Sequence, residues 1–157
     1  MSWTAPRTFV TGEVETAAIF NTHLRDNLTA LQPQSAVVPA GQTTTSTSYT
    51  DLATTGPAVT VTTGTQALIT VGCQSSNNNS SQGAYMSFAV SGATTVAAND
   101  ANAFYVTSFT GGFGSSGMFQ VLYTGLTAGS NTFTAKYRAT GTTATFSARN
   151  IIVEACY

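Results

Sequence analysis

Thr132-Phe133-Thr134-Ala135-Lys136-Tyr137-Arg138-Ala139 alternates without a break. Phe133, Ala135, Tyr137 and Ala139 fall on one side, and Thr132, Thr134, Lys136 and Arg138 on the other. This is the two-residue period of a strand with one buried and one wetted face. Similar segments recur on both sides of it. Tyr85 to Val90 sets Met86, Phe88 and Val90 on one face, and Ala144, Phe146 and Ala148 lead towards Ile151, Ile152 and Val153. Ala103 to Phe109 and Met118 to Tyr123 flank the glycine-rich stretch 111–117. Ala58 to Thr62 and Ala67 to Val71 are expected to pair around Thr63-Gly64-Thr65. Turn signals separate these runs at Gly56-Pro57, Ser91-Gly92, Ala128-Gly129-Ser130-Asn131 and Gly141. About eight short strands at this spacing predict a mainly β chain, a jelly-roll-like antiparallel β-sandwich rather than βαβ units.

Composition narrows the functional classes. The chain has 157 residues, enough for one core, and only 7% of them are charged against a usual figure of about 25%. With five Lys and Arg in all, it lacks the cations that a nucleic-acid interface or a polybasic membrane contact needs. No apolar run approaches a transmembrane helix. Met1 to Arg7 lacks the basic-then-apolar order of a secretion signal, so synthesis and assembly in a cytoplasm are expected. Cys73 and Cys156 read as two buried free thiols, with a disulfide as the alternative.

The organisation changes near Pro33. Five of the eleven charged residues, the single Trp and the single His all lie in residues 1–31. Division into an arm and docking helix (1–33) and a β-sandwich domain (34–157) is expected. Thr16 suits a helix N-cap, and Ala17, Phe20, Leu24, Leu28 and Leu31 follow helical spacing as one apolar stripe. Pro33 ends the run. A helix of about fifteen residues is marginal alone and needs a partner surface. Ahead of it, Trp3, Pro6 and Phe9 anchor an extended arm. The candidate docking residues are therefore Trp3, Phe9, Phe20, Leu24, Leu28 and Leu31.

Motifs for chemistry are absent or lack their context. Gly112-Phe113-Gly114-Ser115-Ser116-Gly117 matches the dinucleotide fingerprint by letter, but Met-Phe-Gln-Val-Leu-Tyr follows it as a strand. A strand-connecting loop is the better reading. His23 has only Asp26 nearby, as a surface pair, and no nucleophile. One His and two distant Cys show no metal-ligand spacing. The acidic residues are too scattered for paired acid–base work. No enzyme activity, cofactor or metal is expected. Asn77-Asn78-Asn79 reads as a solvated loop tip, and the aromatics Tyr85, Phe104, Tyr105, Phe109, Phe113, Phe119, Tyr123 and Tyr137 exceed the needs of a small core, which suggests a subunit interface.

The run Trp3-Thr4-Ala5-Pro6-Arg7-Thr8-Phe9-Val10, followed by Gly12-Glu13, Thr16-Ala17-Ala18 and residues 21–28, resembles an N-terminal segment of virion proteins from tailed phages of actinobacteria and related prophages. Tyr49-Thr50-Asp51-Leu52, residues 56–61, Val90-Ser91-Gly92-Ala93 and residues 126–132 resemble the β-sandwich of the same proteins. The resemblance implies a non-enzymatic virion structural protein, assembled in the host bacterial cytoplasm. Capsid decoration or head fibre is the first reading, with residues 1–31 on the major capsid protein and a homotrimeric sandwich outward. A minor tail or tail-fibre protein that binds host cell-surface glycan is the alternative.

Overall fold

The alternation at 132–139 folds as anticipated: Phe133, Ala135, Tyr137 and Ala139 are wholly buried, at 0% exposure. They lie on β8 (Gly129–Ala139), one of nine strands in the computed structural model, which describes residues 3–157. The others are β1 (Gln34–Val38), β2 (Gln42–Thr44), β3 (Ala58–Thr63), β4 (Gln66–Asn77), β5 (Gly83–Gly92), β6 (Phe104–Thr107), β7 (Gly114–Tyr123) and β9 (Ala144–Cys156).

Two antiparallel sheets face each other, one ordered β1-β9-β4-β7 with β2 also on β9, the other ordered β3-β8-β5-β6. Leaving the short β2 aside, the first strand pairs with the last, the second with the second-last, and so inward to the β5–β6 pair. A long eight-stranded hairpin rolled up in this way is a jelly roll. Phe88, Phe133, Tyr137 and Phe146 fill the space between the sheets with Ile69, Val71, Ile151 and Val153. Phe88 meets Phe133 at 6.4 Å, and Tyr137 meets Phe146 at 5.0 Å between ring centroids. Such offset and tilted contacts suit the aromatic quadrupole.

Several local expectations are corrected. β3 and β4 do not pair with each other: β3 joins β8 and β4 joins β9 and β7, so Thr63-Gly64-Thr65 is a corner between sheets. Gly64 permits it, because a Cβ there would meet the Cys156 carbonyl oxygen at 2.7 Å. Gly114 to Gly117 are the start of β7, not a loop. Glycine at 117 leaves room for Phe104, whose ring would stand 2.5 Å from an added Cβ. Strands β1 and β2 lie in a stretch whose Gln, Ser and Thr content masked them.

In β9, Gly72 opposes Asn150 and Gln74 opposes Ser147, so one extra residue enters as a β-bulge. Ala148 takes a φ of 47° there. The bulge reverses the alternation: Ala148 faces out, and Arg149, then Ile151 and Val153, face in. Arg149 is fully buried, with its guanidinium 5.3 Å from the Tyr137 ring. It donates to the carbonyls of Thr54, Gly56 and Ala40 and to Gln42 Oε1, at 3.1 to 3.4 Å. Residues 40–56 are thereby tied to β9.

Asn77 is likewise buried rather than a loop tip. Its Nδ2 donates to the carbonyls of Gly83 and Gly141, its Oδ1 accepts from Thr142, and its carbonyl accepts from Gly112. At the other end of the sandwich Asn131 Oδ1 accepts from the Thr94 amide, and its Nδ2 donates to Thr63 Oγ1 and the Thr127 carbonyl. One buried amide thus closes the turns at each end. Cys73 and Cys156 are free thiols. Cys156 stands opposite Gln66, seven residues along β4 from Cys73, or roughly 23 Å at strand rise. That is far beyond disulfide reach. Burial pushes the Cys73 thiol up to about 12.

Candidate docking surface

The N-terminal segment forms a helical run over residues 17–30. Its parts are α1 (Ala17–Phe20), a π turn (Asn21–Arg25) and α2 (Asp26–Ala30). Thr16 caps it, its Oγ1 accepting from the Ile19 amide at 3.4 Å. The π turn has a consequence for the stripe. In a regular α-helix four residues overrun a turn by about 40°, so two such steps carry Leu28 about 80° away from Phe20. One extra residue absorbed in a π turn takes up about 100° and cancels the drift.

Phe20, Leu24, Leu28 and Leu31 accordingly share one solvent-facing side; with Phe9 on the arm, they are between 38% and 59% exposed. Val10 and Val14 are also exposed. The side that turns inward has a polar centre, with Ile19, His23 and Ala30 half-buried around Asn27. Asn27 is buried at 5%, accepts from the Thr4 amide at 2.9 Å and donates to the Thr4 carbonyl at 2.8 Å. This pair of bonds pins the arm along the helix. Arg7 pairs with Glu13 and lies 5.3 Å from the Phe9 ring, and Glu13 also accepts from the Val10 amide. His23 does not pair with Asp26, which binds Arg25 at 2.8 Å instead. The Nδ1 atom of His23 is buried without a hydrogen bond.

Trp3 parts from the other candidate residues. Its ring stacks on Tyr157 at 5.2 Å and 12°, which fastens the arm to the sandwich beside β9. The structure therefore groups Phe20, Leu24, Leu28 and Leu31, leaves Phe9 exposed on the arm, and places Trp3 in an internal contact. The Trp3–Tyr157 contact joins distant parts of the chain and has no local signal.

A second exposed apolar region escaped the sequence reading. Val37, Met118, Leu122 and Ile152 lie on the outer face of the first sheet, between 41% and 70% exposed. Val37, Asn150, Gly72 and Met118 form one cross-strand row there. The alternation of β7 and β9 carried this signal, because both of their faces hold apolar residues. The aromatics, by contrast, serve the core more than expected. Tyr137 is buried, Phe104, Phe119 and Tyr123 lie partly buried against the core, and Tyr105, Phe109 and Phe113 stay exposed.

Among the described residues no cluster of three His, Cys, Asp or Glu could hold a metal ion, and no helix is long and apolar enough to cross a membrane. No protein-family model matches the sequence, and no curated protein matches it. The folded chain is similar to a chain from infectious bursal disease virus strain Gx, with a TM-score of 0.50 and 8% identity over 78% of this chain and 32% of that one. It is similar to VP2 of the infectious bursal disease virus subviral particle, with a TM-score of 0.51 and 11% identity over 79% of this chain and 33% of that one. This chain spans about a third of the length of those proteins. At such identities the likeness is one of fold alone.

Proposed function

We propose that the chain is a non-enzymatic structural component of a tailed-phage virion, a capsid decoration or head-fibre protein. Residues 1–31 bind the major capsid protein, and the sandwich projects outward. The observation that carries this reading is the line Phe20, Leu24, Leu28 and Leu31, which the chain's own sandwich leaves uncovered. An isolated short helix gains its stability from an apolar partner surface, and the arm clipped along its back by Asn27 presents that line as one unit. A sandwich surfaced mainly by Thr and Ser supports an exterior position. The jelly-roll fold and its likeness to virus-particle proteins are in keeping with the reading.

Leu24→Asp in the full chain tests it. A charge forced into a desolvated contact costs several kcal/mol, on the order of 3 or more. The variant is expected to keep the wild-type melting temperature and to lose at least about a hundredfold in incorporation into particles that lack the wild-type protein. Wild-type incorporation overturns the reading.

The proposal includes a homotrimer closed through the outer face of the first sheet. Val37, Met118, Leu122 and Ile152 there form an apolar surface with Glu154 as its charge. A closed cyclic assembly buries such a face without leaving a growing end. Light scattering is expected to give about 49 kDa, three times 16.2 kDa; a stable monomer removes this part. A minor tail or tail-fibre protein with host-glycan binding is the second reading, favoured by a polar groove on the other sheet.

A further inference from the structure

The outer side of the second sheet holds a groove of about 880 Å³, between residues 47–51 and residues 97–100, with Ala89, Lys136 and Arg138 of the sheet between them. Of the six charged residues after Pro33, four meet in it: Asp51, Asp100, Lys136 and Arg138. Charge that serves solubility alone is better dispersed over the surface, yet the outer face of the first sheet sets Glu154 among the exposed Val37, Met118, Leu122 and Ile152. The concentration calls for a local cause.

The four charges cancel in pairs. Lys136 Nζ lies 2.7 Å from Asp51 Oδ2. Arg138 holds Asp100 with two parallel bonds, Nε to Oδ1 at 2.8 Å and Nη2 to Oδ2. Tyr49 adds its hydroxyl to Asp100 Oδ1 at 2.9 Å. Burial and the neighbouring Asp100 carboxylate raise the Tyr49 hydroxyl well above its ordinary range, so it remains a neutral donor. Rings flank the guanidinium: Arg138 sits 4.0 Å from the Tyr85 centroid and 5.6 Å from that of Tyr49, and Tyr105 stacks on Tyr85 at 5.0 Å.

This arrangement holds its polar groups still and keeps them reachable. Arg138 is fixed between a carboxylate and two rings, and the Asp51 and Asp100 side chains remain 39% and 55% exposed. A carboxylate offers about four acceptor positions, and Asp100 uses three of them internally. With no uncompensated charge, the groove has nothing to gain from an anionic or cationic ligand. It does have fixed acceptors and donors beside one aromatic residue, Tyr49, which suits a ligand with many hydroxyl groups and apolar C–H faces.

We propose that this groove binds a neutral saccharide, with hydroxyl groups on Asp51, Asp100 and Lys136 and a sugar ring against Tyr49. A mere clamp for the two flanking segments, the competing account of the same ion pairs, predicts no binding at all.

The experiment is an amide NMR titration of the full chain with maltotriose, mannotriose and galactotriose, each to about 10 mM, which reaches affinities as weak as about −3 kcal/mol. At least one sugar is expected to move signals confined to residues 47–51, 97–100 and 136–138. Ala97→Trp puts a large ring at an exposed lining position outside the two ion pairs' own residues, and it should block the groove and weaken binding by about tenfold or more while the fold persists. Absence of localised shifts with all three sugars, or undiminished binding in Ala97→Trp, overturns the proposal. Tighter binding of trigalacturonate overturns its neutral character. Saccharide binding here rests on the glycan-binding part of the second reading and is independent of the docking reading, since Leu24→Asp should bind sugar as the wild type does.

Discussion

Phe133, Phe146 and Ile151 in the sandwich are entirely out of solvent, whereas Phe20, Leu24 and Leu28 in the N-terminal segment remain about half in it. Both regions bury polar side chains. The sandwich spends Asn77, Asn131 and Arg149 on closing its own ends and flank, while the helix turns Asn27 inward and its leucines out. Among the described residues of the sandwich, the buried side-chain atoms left without a hydrogen bond are Ser75 Oγ and Arg149 Nε. A segment that faces its apolar residues outward is stable in proportion to what covers it. The difference separates a body with its large apolar residues inside from a segment with them outside, within one short chain.

Truncation should break this contrast most visibly. Phe146→Ala removes a fully buried ring and is expected to cost about 3–5 kcal/mol in urea unfolding, whereas Leu24→Ala should stay within about 0.5 kcal/mol. Comparable losses in both variants would mean that the helix stripe is covered in solution. Asn131→Ala strands a buried amide and a buried hydroxyl at one end of the sandwich, and about 2–3 kcal/mol should follow. Asn27→Ala sharpens the comparison from the other side. It should leave the sandwich's melting temperature unchanged while the Thr4 amide loses protection from hydrogen exchange, by about 1 kcal/mol of local opening.

The smallest effect concerns acid. The Arg138 hydrogen bond holds the Asp100 carboxyl below its ordinary range. A depressed carboxylate stabilises the folded chain above its unfolded value of about 3.9, and that stabilisation goes as pH falls through the folded value. Protection from hydrogen exchange at residues 97–100, relative to the intrinsic rate at each pH, should therefore fall below about pH 4, and Asp100→Asn should remove the dependence.

The period of β8 needed no tertiary information, because Thr132 to Ala139 keep one strict alternation. The helix stripe was equally legible, whereas the π turn at Asn21–Arg25 was not, since four-residue steps also occur in a regular α-helix. The bulge at Ala148 was not legible, since one inserted residue leaves no mark in composition yet moves Arg149 into the core. Asn77 and Asn131 look like turn residues, and their burial depends on turns that arrive from remote parts of the chain. The groove was hidden for the same reason: Asp51, Asp100, Lys136 and Arg138 are scattered in sequence, and the antiparallel neighbours of β8 bring them together.

The nesting of strands also sets the order in which this molecule can form. Gln34 pairs with Val153, Ala58 with Thr134, and Gln66 with Cys156, so the earliest strands wait for some of the latest. Contacts so far apart in sequence slow folding, because long loops must close before any pairing rewards them. Strand β1, at the edge of its sheet with β9 as its neighbour, stays unpaired until that closure is complete. The exposed helix immediately precedes β1, and the Trp3 ring that steadies the arm rests on Tyr157. The exposed apolar line of the helix therefore gains its fixed orientation only in a chain whose sandwich has already closed.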